Sequence, residues 1–143
     1  MRFVMSALAS CLAVMTAFGE DDPNKAELKR FQGRWKVVSV MDDGKPGRAG
    51  FTWTIEGSKI QYGGGWYGAM TLDAKADPKA YDFDHMDAGG QVRGKGFKAI
   101  YKFDSDDKMT WCVPMREDAP RPKAFASKAG DGNRLIVLER VKK

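Results

Sequence analysis

The densest polar cluster in the chain is Asp82-x-Asp84-His85-x-Asp87. Carboxylates beside an imidazole are the raw material of a metal site or of acid–base catalysis. His85 is the only histidine. On an extended strand, successive side chains alternate between faces, so Asp82 and Asp84 share one side and His85 takes the other. The set does not converge, and the spacing predicts a solvated strand running into a turn rather than a metal centre. Asp104-x-Asp106-Asp107 has the charge density of a calcium loop but lacks its glycine and terminal glutamate, and reads as a hairpin tip. Gly63-Gly64-Gly65 lacks the Lys-Ser/Thr of a phosphate-binding loop and no helical pattern follows it. It predicts a flexible turn or bulge. Ser39 and Ser127 stand in no nucleophile context, and no two carboxylates take opposed roles. The expectation is a protein that is not an enzyme, with no catalytic residues, no metal and no cofactor.

Two cysteines, Cys11 and Cys112, lie in very different surroundings. Cys11 sits in the apolar front of the chain. There Arg2 is a one-residue basic start, Phe3 to Phe18 carry no charge, and Ala17-Phe18-Gly19 places small residues at the −3 and −1 positions of a signal-peptidase site. Residues 1–19 are expected to be an export signal, directing the chain to the periplasm, cell envelope or exterior. The apolar run is shorter than the ~20 residues of a spanning helix. Leu8-Ala9-Ser10-Cys11 also fits a bacterial lipobox, with Cys11 acylated as a lipid anchor; soluble export ranks first because the apolar run before Cys11 is then very short. With Cys11 removed, Cys112 is left alone and no internal disulfide forms. Its expected role is a small strand residue.

The elements follow from hydrophobic period and turn residues. After a tether over 20–26, Asn24 is positioned to cap a short helix from Lys25 to about Gln32, with Glu27 at capping-box spacing. Leu28 and Phe31 give that helix one apolar face, and Gly33 ends it. A strand from about Arg34 to Met41 follows, with Trp35, Val37 and Ser39 facing one way and Lys36, Val38 and Val40 the other. Further alternating rows run through Phe51-Trp53-Ile55, Ile60-Tyr62, Trp66-Gly68-Met70-Leu72, Tyr81-Phe83-His85, Phe97-Ala99-Tyr101-Phe103 and Met109-Trp111-Val113. A short strand around Phe125 and a closing strand from Leu135 to Val141 complete the series. Turn clusters separate these rows at hairpin spacing, and no βαβ pattern occurs. The fold class is therefore all-β: an antiparallel meander of eight or nine strands over residues 27–143, closed as a barrel with one short N-terminal helix. Pairing of the first and last strands would remove both open edges.

The net charge is +5, and +4 without Arg2; the basic residues are dispersed through the chain, so no nucleic-acid partner is expected.

A helix leading into Gly33-Arg34-Trp35, with Arg140 on the closing strand, resembles the calycin superfamily of lipocalins and fatty-acid-binding proteins. The resemblance implies a structural seal made by Gly33, Trp35 and Arg140, with the arginine packed across the indole. Phe31 to Val40 followed by Asp43-Gly44-Lys45-Pro46, then Pro78-Lys79-Ala80-Tyr81-Asp82, Ala99-Ile100-Tyr101, Trp111-Cys112, Arg121 to Phe125, and Leu135 to Arg140, is similar to a lipocalin-like domain family of unknown function abundant in Planctomycetes. That resemblance covers about residues 27–143 and implies an exported lipocalin-like barrel without supplying an activity.

A barrel of eight strands has an interior just wide enough for side chains or for one small ligand. If a cavity exists, its expected lining is Trp53, Tyr62, Trp66, Met70, Phe83, Phe97, Tyr101, Phe103 and Trp111, and the partner is a small apolar or amphipathic molecule. If those side chains meet at the centre, the barrel is filled and serves as an envelope interaction domain for a protein or surface partner.

Overall fold

The structure, a computed structural model, describes residues 22–63 and 65–142. The expected export signal over residues 1–19 and the alternative acylation site at Cys11 lie outside the described residues. The chain order is α1 (Pro23–Phe31), β1 (Gly33–Asp42), β2 (Lys45–Pro46), β3 (Thr52–Glu56), β4 (Lys59–Gly63), β5 (Trp66–Asp73), β6 (Ala80–Met86), β7 (Val92–Ser105), β8 (Lys108–Pro114) and β9 (Asn133–Arg140). All nine strands belong to one antiparallel sheet, and β1 also pairs with β9. That pairing closes eight strands into a barrel and leaves β2 as a two-residue spur on β1. No open edge remains along the barrel wall.

The helix begins earlier than the sequence reading places it. Asp22, not Asn24, is the cap: its Oδ1 accepts the Asn24 backbone N–H at 3.0 Å, and Pro23 occupies the first turn where its missing N–H costs nothing. Pro23 and Asn24, expected ahead of the helix, are thus helical. Asn24 instead accepts the Ala74 N–H at 2.8 Å, tying the helix to the β5–β6 turn.

Glu27 does not turn back to the cap. It is buried, and it receives the Tyr101 hydroxyl at 2.9 Å and Arg30 at 3.1 Å, with Lys79 Nζ at 3.3 Å. Burial pushes its carboxyl up, but these donors outweigh burial and hold it below the usual carboxylate range. A carboxylate with a lowered folded pKa contributes stability above its ordinary pKa and loses it as pH falls through the folded value. The melting temperature should therefore fall as the pH is taken from about 5 to about 3. In Glu27→Gln, which starts less stable, this segment of the fall should be shallower. Parallel melting curves for the two proteins across that range would contradict the assignment.

β1 departs from simple alternation. Val37 pairs with Leu138 and Ser39 with Val137, so Val38 is an extra residue bulged outward. The bulge resets the inward parity: Trp35, Val37 and Val40 are buried, while Ser39, expected on the Trp35 face, is exposed. No strand forms around Phe125. Residues 115–132 carry no ladder, in keeping with Pro120 and Pro122, which lack donors. Arg121 ties this segment down, donating to Tyr81 O at 3.0 Å, to Ala99 O at 2.8 Å and to Asp82.

The helix closes one end of the barrel. Phe31 is fully buried and meets Tyr101 and Phe103 edge-on at 4.9 and 5.0 Å. Trp35 Nε1 donates to Phe31 O at 2.7 Å. The Arg140 guanidinium lies 4.3 Å from the Trp35 ring and donates to Gln32 O at 2.6 Å, Arg30 O at 2.8 Å and Asp106 O at 3.1 Å. Gly33 has φ 114°, a backbone conformation that favours glycine, and a Cβ there would crowd Arg140 Nη1 at 3.2 Å. Gly33, Trp35 and Arg140 thus meet at the helix-capped end.

Candidate functional site: a cavity at the open end of the barrel

At the end opposite the helix the barrel is not filled. A cavity of about 320 Å³ opens there, walled by β4, β5, β6, β7, β8 and β9 together with Trp53 of β3. Of the nine residues expected to line a cavity, Trp53, Tyr62, Trp66, Phe83, Phe97 and Trp111 do so. Met70, Tyr101 and Phe103 do not. Tyr101 and Phe103 pack on Phe31 at the closed end, and Met70 belongs to the core and borders the outer groove beside Leu28. The correction has a simple cause. Alternation identifies the inward face of a strand but not the height of a residue along the barrel, and all three stand on the helix side of that height.

The sequence reading leaves out Tyr67, Tyr81, His85, Val113, Pro114, Met115, Arg134 and Ile136 from the lining. Tyr81 and His85 share the parity of Phe83, and Val113 that of Trp111, so alternation carried their signal. Arg134 and Met115 sit at strand ends where alternation has little to act on, and nothing in the local pattern marks them.

The wall is an aromatic lattice. Trp53 meets Tyr62 at 4.8 Å and Trp111 at 5.6 Å; Tyr62 meets Phe83 at 5.5 Å; Tyr81 meets Trp111 at 5.1 Å. Such pairs interlock by quadrupole geometry and hold a preformed wall. Two glycines make room for Phe83. A Cβ on Gly68 would overlap the Phe83 ring, and one on Gly96 would overlap the Phe83 backbone carbonyl. Burial raises the pKa of the Tyr62 and Tyr81 phenols, so both remain neutral donors. The Trp111 indole nitrogen is the one buried side-chain polar atom among the described residues with no hydrogen-bond partner.

The polar groups lie at the mouth. Arg134 pairs with Asp42, and its side chain also borders a second cavity of about 240 Å³ that shares Trp53, Arg134 and Ile136 with the first. His85 Nε2 lies 2.6 Å from Glu117 Oε1. Asp82 engages Arg121 and Asp87 engages Arg93, so the acidic cluster around His85 is divided among separate partners. Among the described residues, no group of three or more His, Cys, Asp and Glu side chains comes together as a metal site. Cys112 is fully buried, its Sγ 3.4 Å from Ala126 O; burial raises its thiol pKa, which keeps it protonated and weakly nucleophilic.

The site is chemically a hydrophobic socket with a polar rim, set in a closed antiparallel barrel with a helix-capped end. Comparison with family models, curated proteins and solved structures returns no match.

Proposed function

We propose that this is an exported, non-catalytic binding module of lipocalin-like type, which takes a small apolar or amphipathic molecule into the open end of its barrel. The observation that carries the proposal is the preformed aromatic cavity. At about 320 Å³ it falls at the lower end of ordinary ligand pockets, and is roughly twice the ~150 Å³ of a cavity that accepts benzene. A molecule of one to two rings, or a short acyl chain, matches that space. Apolar burial supplies the affinity, and Arg134 and His85 stand among the lining residues to meet a polar group of the ligand. The helix leading into Gly33-Arg34-Trp35 with Arg140 on the closing strand, which resembles the calycin pattern, supports the same reading.

The test is uptake of N-phenyl-1-naphthylamine by the purified protein, with native mass spectrometry of protein taken gently from its own host. The expected result is saturable one-to-one dye binding. Gly68→Ala should push the Phe83 ring into the cavity and weaken dye binding by about tenfold or more, equivalent to at least about 1.4 kcal/mol. No uptake of the dye or of added fatty acids, with a bare mass from the host, would overturn the cavity reading. It would favour instead an envelope interaction domain acting through its surface.

A further inference from the structure

We infer that the rim of the barrel mouth seats on an anionic lipid surface, so that the cavity opens directly against the bilayer. The inference gives the proposed ligand its source and in that sense rests on the binding reading, but its support comes from different residues.

The large hydrophobic side chains that the described residues leave exposed are Trp66 at 71%, Val92 at 57%, Phe51 at 43%, Met115 at 41% and Val38 at 38%. Four of these five stand at the open end. Trp66 and Met115 border the cavity itself. Val92 pairs with Met86, just past the His85–Gly94 pair on the same hairpin. Phe51 borders the adjoining cavity that shares Trp53, Arg134 and Ile136 with the first. Only Val38 lies elsewhere, on the β1 bulge.

Arg48 lies 5.5 Å from the Phe51 ring. Arg93 follows Val92 and Arg116 follows Met115 in sequence, and these two cations pair with Asp87 and Asp118, which reduces their effect. Tryptophan and aliphatic side chains with long cations beside them are the composition of a lipid interface, where the apolar part enters the acyl boundary and the charge stays among headgroups. Isolated apolar tips spaced round an opening suit a fluid bilayer better than a protein partner, whose interface needs a continuous, complementary core. The net charge of +5 adds attraction to anionic lipid. The outer wall, with Lys36, Glu56, Lys98, Lys102, Lys108 and Glu139 exposed, carries charge rather than the apolar band of a spanning barrel. Contact is therefore through the rim.

The experiment is co-sedimentation of the full chain with vesicles of phosphatidylglycerol in phosphatidylcholine, against phosphatidylcholine alone, with tryptophan emission recorded alongside. The expected result is salt-sensitive binding to the anionic vesicles and a blue shift of the exposed Trp66. The double variant Trp66→Ser/Val92→Ser should partition about tenfold less, while Val38→Ser partitions as the parent. Both altered sites of the double variant are exposed, so its melting curve should match the parent. Absence of vesicle binding at low salt, equal binding by the double variant, or rim-dependent self-association without vesicle binding would each overturn the inference. Dye uptake in solution separates the two proposals. Dye binding without vesicle binding removes the rim inference alone; vesicle binding without dye uptake removes the cavity reading alone.

Discussion

Replacing Trp35 with alanine is expected to destabilise the protein by about 3–5 kcal/mol, the largest effect of any single substitution argued for this chain. The side chain is fully buried and sits where α1, β1, β3 and β9 meet, paired across the sheet with Trp53 on one side and Arg140 on the other. Its removal leaves a void between helix and sheet, and it also strips the Phe31 carbonyl of its indole donor. The helix is only nine residues long and has no stability of its own, so losing the surface it packs on should free it. The corresponding fall in melting temperature is roughly 10–20 °C for a domain of this size. Trp35→Phe fills most of the volume without the donor, and should cost about 1–2 kcal/mol. Urea unfolding measures both. A loss under about 1 kcal/mol for Trp35→Ala would show that the seal is not where the stability resides.

Arg140→Ala is expected to follow, at about 2–3 kcal/mol. Its guanidinium joins the last helical turn, the β1 entry and the β7–β8 hairpin tip, by donating to the carbonyls of Arg30, Gln32 and Asp106. Water can replace some of these bonds because the side chain is about a quarter exposed, which keeps the cost below that of a fully buried ion. Arg140→Lys should restore less than half of the loss, since an ammonium cannot serve three diverging acceptors and stack on an indole together. Because Trp35 and Arg140 touch, the double variant should cost less than the two single losses added. Strict additivity in that cycle would contradict the stacked pair.

The barrel itself was legible because its rows alternate cleanly. Trp53-Ile55, Phe97-Ala99-Tyr101 and Met109-Trp111 each state which face is inward, and the number of rows, with a first and last strand able to pair, implies closure. The departures share a physical origin. The β1 bulge at Val38 costs no residue type that marks it, so parity counted from Trp35 runs out of phase at Ser39. Asp22 and Asn24 are equally good caps in isolation, and the choice is made by Ala74, fifty positions from Asn24, which claims the asparagine. The candidate site was half legible for a related reason. Whether an inward aromatic fills the barrel or lines a void depends on how far it lies from the helix. That distance shows only in the packing: Phe83 meets Tyr62 and belongs to the socket, whereas Tyr101 meets Phe31 and belongs to the plug.

The pairing of β1 with β9 has one more consequence. Because the strands are antiparallel, the start of β1 and the end of β9 lie side by side, and the Val141 N–H still reaches Arg34 O at 2.9 Å. The described chain therefore enters and leaves at the same pole, under the helix, and the opening occupies the other. A fusion partner, affinity handle or surface attachment added before Asp22 or after Lys142 would act as a stalk, holding the socket outward with its approach unobstructed. Immobilisation through either terminus should thus preserve access for dye and vesicle alike, whereas coupling through Lys95, which pairs with Asp84 beside the His85–Gly94 pair, would place the mouth against the support.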